Sequence, residues 1–182
     1  MRLGRPAEAL LDFQEALRLD RADGPANSGL GRALFALRRF QPAEEAFEKA
    51  LRAAPDQLEV CLLHAWCAYH KANYPLGLQR FSAVLTRFPA SWGAMLGLAW
   101  CHERAGRPEK SLEFLGRAVA ADPQGADPDA LEWMRRPEAP PEWSLAYGFA
   151  LIEAGRTQAA LAFFASPPAR LDAGAALLGR AL

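Results

Sequence analysis

Residues 92–125 read WGAMLGLAWCHERAGRPEKSLEFLGRAVAADPQG. Two amphipathic helical patterns lie in this stretch, joined by Ala105-Gly106-Arg107-Pro108 and closed by Asp122-Pro123. Shifted by 34 residues it falls on Leu58–Ser91, and shifted again on Gly24–Gln57. A fixed period of that length is the signature of one supersecondary unit stacked on copies of itself. Pro55, Pro89 and Pro123 keep the same spacing. Each stands just past a second helix, which a proline cannot continue.

Working outward, the N-terminal stretch places Pro6 at a first helical turn, where its missing N–H costs nothing. Leu10, Phe13, Ala16 and Leu17 then make one apolar stripe, as in a second helix whose first helix is absent. In residues 24–57 helices are expected over 25–37 and 42–53, with Arg38-Arg39-Phe40 turning the chain and Pro42 restarting it. Toward the C-terminus, ADPDALEWMRRPEAP (126–140) breaks the period, and its prolines leave room for at most a short helix over 129–135. The pattern resumes at Pro141, stops early at Ser166-Pro167-Pro168, and closes with a helix expected over 169–181. The expected organisation is therefore a repeat array over 1–125 (half unit 1–23, units 24–57, 58–91 and 92–125), an irregular insertion or hinge over 126–140, and a degenerate unit with a C-terminal helix over 141–182.

Composition narrows the function classes. The chain has 182 residues, 51% hydrophobic, with 21 basic and 21 acidic side chains and no net charge. That balance argues against an electrostatic grip on nucleic acid or an anionic membrane. No apolar run is long enough to span a bilayer, and MRLGRPAEALLD lacks the apolar core of an export signal, so a cytoplasmic protein is expected. Cys61, Cys67 and Cys101 are an odd number and read as reduced, partly buried thiols. Arg outnumbers Lys heavily and Ile occurs once, a bias that a GC-rich bacterial genome would explain.

The recurring columns resemble the tetratricopeptide repeat family. Numbering each unit from Gly24 and its equivalents, position 8 is Gly31, Ala65, Ala99 and Gly148, and position 20 is Ala9, Ala43, Gly77, Ser111 and Ala160. Position 24 is Phe13, Phe47, Phe81, Leu115 and Phe164; position 27 is Ala16, Ala50, Val84 and Ala118. Small residues at 8 and 20 let the two helices of a unit approach, and the aromatic at 24 fills space between units. His64 at position 7, Pro167 at position 27 and the 126–140 insertion depart from the pattern. The resemblance implies an all-α, right-handed superhelical solenoid of helix-turn-helix units, and a non-catalytic scaffold for protein–protein interaction.

It also implies a concave groove lined by first helices, chiefly at positions 2, 5, 9, 12 and 13. Carried onto this sequence, position 9 is Arg32, Trp66, Trp100 and Phe149; position 12 is Phe35, Tyr69, Glu103 and Ile152; position 5 includes Leu62, Leu96 and Leu145. Spacings of three and four put these on one helix face. The apolar members are candidate anchors for an apolar or amphipathic segment of a protein or peptide partner, with Arg32, Glu103 and Arg104 setting orientation. The alternative is that these side chains are core, buried between helices or under residues 126–140. The family's carboxylate clamp would have only Lys71, Asn27 and Arg32 as near candidates here, without its spacing.

The ends suggest a second function. In register, Met1 is position 12 and Leu182 position 11, so the two termini together would complete one unit. Self-association into a homo-oligomer through Leu10, Phe13, Leu171, Leu178 and Leu182 is the alternative to the groove, against a plain C-terminal cap or a chain cut from a longer array. Chemistry is not expected. His64, Cys67, His70 and Cys101 do not keep a metal ligand geometry, so no metal and no cofactor are expected. Glu44-Glu45 and Arg38-Arg39 read as solvated faces. No phosphate loop, zinc-protease helix or nucleophile elbow occurs, so no catalytic residue is expected.

Overall fold

The computed structural model describes residues 6–121, 148, 151–152 and 155–165, the last four by backbone alone. Among these residues the regular elements are helices: α1 (Pro6–Leu19), α2 (Gly24–Ala36), α3 (Phe40–Ala53), α4 (Leu58–His70), α5 (Tyr74–Arg87), α6 (Trp92–Arg104), α7 (Pro108–Ala121) and α8 (Thr157–Ala165). The chain divides into two compact units, Met1–Pro89 and Ala90–Leu182.

Local chemistry explains where the helices start and stop. Asp23, Asn73 and Ser91 cap α2, α5 and α6, their side chains accepting from the backbone N–H of Ala26, Leu76 and Ala94. Each first helix ends in the same six-residue closure. The N–H of Arg39 donates to Leu34 O at 2.9 Å, Asn73 to Ala68 O at 3.0 Å, Arg107 to His102 O at 2.9 Å and Arg156 to Leu151 O at 2.9 Å. The residue before each donor is left-handed, with φ of 58° at Arg38 and Ala72, 69° at Gly106 and 72° at Gly155. The 34-residue sequence period is thus a period in backbone conformation. One boundary differs from expectation: α3 begins at Phe40, so Pro42 lies inside its first turn. No intrahelical acceptor faces the N–H at that position, so a proline is tolerated there.

In the first unit α1 packs on α2, α2 on α3, α3 on α4 and α4 on α5, and α2 also meets α4. That last contact sets the first helices of consecutive repeats side by side. Leu34, Ala43, Phe47, Ala50, Val60 and Cys67 form one core cluster, with Leu10, Leu30, Phe35, Leu51 and Leu63 packed against it. The Phe47 ring lies where Gly31 has no side chain: a Cβ there would stand 2.5 Å from Phe47 Cε1. Small residue and aromatic therefore define one packing joint, and the cluster carries it on to Val60 and Cys67 of α4.

In the second unit α6 packs on α7. Ser111 (position 20) is buried and its Oγ donates to Ala99 O (position 8) at 2.7 Å. Positions 8 and 20 thus meet directly across the helix pair. The 126–140 insertion and the helix expected over 169–181 lie outside the described residues.

Candidate functional site

Within the first unit, α2 and α4, which carry the expected groove positions, lie in contact. Ser28 is buried, while Arg32, Phe35, Leu62, Trp66 and Tyr69 are each half-buried. Their spacing along each helix keeps them on a single face. Trp66 rests edge-on against the buried Phe81 ring at 4.9 Å and against Tyr69 at 5.4 Å. Phe35 meets Phe40 at 5.4 Å and His70 at 5.5 Å, and Phe40 stacks on His70 at 4.5 Å. Tyr69 is 5.5 Å from His70 and 5.7 Å from Tyr74. Phe35, Phe40, His70, Trp66, Tyr69 and Tyr74 are therefore one connected belt of rings across four helices. Edge-to-face pairs of this kind add stability beyond the area they bury and hold the rings in fixed orientations.

Three of the belt's six rings, Phe35, Trp66 and Tyr69, stand at expected groove positions. Phe40, His70 and Tyr74 were not among the expected groove residues, although their columns carry the signal: Phe40 and Tyr74 share position 17, and His70 is at position 13.

The polar groups around the face are engaged. Arg32 forms a two-pronged ion pair with Glu59, Nη2–Oε1 at 2.9 Å and Nη1 donating to Oε2 at 3.0 Å, which ties α2 to α4. Asn27 is buried, and its Nδ2 donates to the Asp23 carbonyl at 2.7 Å and the Arg21 carbonyl at 3.2 Å. Lys71 bonds to Glu44 and Gln41. None of the three near candidates for a carboxylate clamp stands free for that role.

Glu44 corrects the expectation of a solvated acidic pair. It is 5% exposed, whereas Glu45 is exposed. Lys71 and Arg80 both pair with the Glu44 carboxylate, and Arg80 also donates to the His64 carbonyl at 3.2 Å. Burial pushes the Glu44 carboxyl up, but hydrogen bonds and charge from Lys71 and Arg80 outweigh it and hold the group below its usual range. Position 21 of α3 is in this way pinned to α4 and α5. Glu44, Glu48 and His64 bring three potential metal donors within 4.8 Å of one another. The Arg80 guanidinium already serves the two carboxylates, at 3.8 Å from Glu48, so the cluster is an ion-pair network in which Glu44 is buried and Glu48 is exposed. Burial lowers the His64 imidazole, and the nearby Arg80 charge lowers it further.

The remaining expected residues fall in different places. On α6, Leu96 is buried, Trp100 and Glu103 are half-buried and Arg104 is exposed, its Nε 3.8 Å from Glu103 Oε2. Ile152 is helical and half-buried. Leu10 packs against the first unit's core, and Phe13 lies on Gly29, where a Cβ would meet the ring at 2.2 Å, so both side chains are already used internally. The apolar side chains that α1 leaves open are Leu11, 64% exposed, and Leu19, 79% exposed. Leu145, Phe149, Leu171, Leu178 and Leu182 lie outside the described residues. Cys67 and Cys101 are fully buried, and burial pushes each thiol up to about 12. No described helix is long and apolar enough to cross a membrane.

Comparison with known proteins follows the same lines. Two family models described as tetratricopeptide repeat match residues 1–67 and 62–126. A curated relative, the CTR9 homolog of Arabidopsis thaliana, is 26% identical over 116 residues, which is 63% of this chain and 11% of that protein. The chain thus spans only a small part of that relative's length. Among solved structures, MamA from Desulfovibrio magneticus RS-1 superposes with a TM-score of 0.65 at 23% identity, covering 99% of this chain and 89% of that one. YrrB, described as a TPR protein with an unusual peptide-binding site, superposes with a TM-score of 0.60 at 18% identity, covering 99% and 86%. At these identities the superpositions speak for the fold alone, and they agree with the family models, the recurring helix closures and the position 8–20–24 joints. The chain belongs to the tetratricopeptide repeat family.

Proposed function

We propose that the protein is a non-catalytic interaction scaffold whose first unit holds an apolar or amphipathic segment of a protein partner on the α2–α4 face. The observation that carries this reading is the belt of rings around Phe35, Trp66 and Tyr69, half-buried and held in place from below by Phe81. Aromatic side chains fixed in this way supply contact area at little entropic cost, which is why they dominate binding hot spots. Leu62 extends the apolar face by one turn along α4, and the Arg32–Glu59 pair marks its polar edge. The same helix positions recur on α6 as Trp100 and Glu103.

The test is NMR titration of the protein with an amphipathic helical peptide, Ac-LKELLKKLLEEL, and its scrambled counterpart. Shifts centred on Leu62, Trp66 and Tyr69, lost in Tyr69→Ala and Trp66→Ala with helical circular dichroism retained, are the expected result. Folded variants that bind as the wild type does would sink the proposal.

Self-association is the second reading. It rests on Leu11 and Leu19, the large apolar side chains that α1 leaves in solvent.

A further inference from the structure

A second face of the first unit is built differently from the ring belt. Between α1, α2 and α3 lies an open cleft of about 590 Å³. Leu17, Leu30, Leu34 and Ala46 make its aliphatic floor. Its rim carries Arg18, Arg21, Arg39 and Lys49 against a single acid, Glu45. The α2 residues that line it, Asn27, Leu30 and Leu34, alternate around the helix with Ser28, Arg32 and Phe35, so the cleft and the ring belt occupy separate faces of α2.

One of the four rim cations is engaged, and three are open. Arg18 is paired with Glu15 at 3.0 Å, and the Glu45 carboxylate accepts from Gln41 Nε2 at 3.3 Å. Arg21, Arg39 and Lys49 are exposed and carry no carboxylate partner among the described residues. Two of them stand on tethered backbone. The buried Asn27 amide holds the Arg21 carbonyl, and the N–H of Arg39 closes α2 on Leu34 O. Three exposed cations around an aliphatic floor, in a chain whose net charge is zero, amount to local charge that the rest of the molecule balances elsewhere.

We infer that this cleft docks an acidic peptide segment of a protein partner, its Asp or Glu side chains on Arg21, Arg39 and Lys49 and an aliphatic side chain on Leu17, Leu30 and Leu34. Charge complementarity selects the occupant. The floor has no aromatic ring on which a nucleobase would stack, which sets a peptide above single-stranded nucleic acid. An amphipathic segment on the ring belt and an acidic one in the cleft would then be held at once, and the scaffold would join two partners through one repeat.

The experiment is fluorescence anisotropy of the full chain with fluorescein-labelled Ac-EELEELEEL, with Ac-KKLKKLKKL and an oligothymidylate as competitors, at rising sodium chloride. The acidic peptide is expected to bind, to weaken as salt screens the rim, and to lose about tenfold or more in affinity in the folded double variant Arg39→Glu, Lys49→Glu. Arg21→Glu should weaken it independently. Trp66→Ala should leave it unchanged, which separates this site from the ring belt. Failure of the wild type to bind the acidic peptide would overturn the inference. So would equal binding by the folded double variant, or tighter binding of the oligothymidylate, which would reassign the cleft to nucleic acid.

Discussion

Position 15 shows how much one residue's backbone can cost. The closure after each first helix demands a left-handed residue; Gly106 and Gly155 meet it freely, whereas Arg38 and Ala72 adopt φ of 58° with a Cβ in the way. Arg38→Gly and Ala72→Gly should each raise unfolding free energy by about 0.5–1 kcal/mol in urea denaturation, and Gly106→Ala should lower it by a similar amount. A uniform loss at Arg38 and Ala72 would mean that other contacts of these side chains outweigh the backbone strain. In the sequence this requirement was visible only as the turn Ala105-Gly106-Arg107-Pro108. The two units that break the rule keep the conformation because the hydrogen bonds to Leu34 O and Ala68 O still hold it.

Between elements, the ion-pair network around the buried Glu44 joins α3 to α4 and α5 and is the feature that sequence reading missed most clearly. Nothing in the dipeptide Glu44-Glu45 tells which carboxylate is covered. Only the packing of α3 places Glu44 under Lys71 and Arg80 and leaves Glu45 outside. Removing the carboxylate charge takes the acid partner from Lys71 and leaves the largely covered Arg80 only its 3.8 Å contact with Glu48, so Glu44→Gln should destabilise by about 1–3 kcal/mol. Because the folded pKa of Glu44 is depressed, its contribution is fully present above the ordinary carboxylate range and is lost as pH falls through the lower folded value. His64 acts in the same direction from a higher pH. Its depressed imidazole favours the unfolded state once pH drops below the ordinary imidazole value. Denaturant midpoints measured from neutral pH downward should therefore fall in the wild type, and less steeply at the acid end in Glu44→Gln. Identical acid limbs would contradict the assignment.

At the scale of the whole molecule, self-association is settled by solution mass. With Leu10 and Phe13 turned inward, the apolar surface of α1 open to another copy is Leu11 and Leu19. Size exclusion with light scattering at several concentrations should show any oligomer built on α1 dissociating in Leu11→Glu, Leu19→Glu, while ring-belt substitutions leave it intact. A mass near the 19.9 kDa of one chain at every concentration would remove that reading. An oligomer that survives the α1 charges would place its interface elsewhere.

The sequence by itself determined the repeat: the 34-residue period, the prolines that end second helices, the small residues at positions 8 and 20 and the aromatic at 24. These are local or nearest-neighbour demands. Helix caps, close approach and a ring to fill the gap act within a few residues or across one joint, so they recur in the text of the chain. The first helices' groove positions came from the family resemblance, and helical spacing adds only that those positions share one helix face. Tertiary structure alone decided which side chains each face brings together. It gathered Phe40, His70 and Tyr74 from helix ends into the ring belt, spent Arg32 on Glu59 and Phe13 on Gly29, buried Glu44, and left Arg21, Arg39 and Lys49 around an aliphatic cleft. Those outcomes depend on which side chains from separate helices come within a few ångströms of one another, and a one-dimensional period carries no information about that.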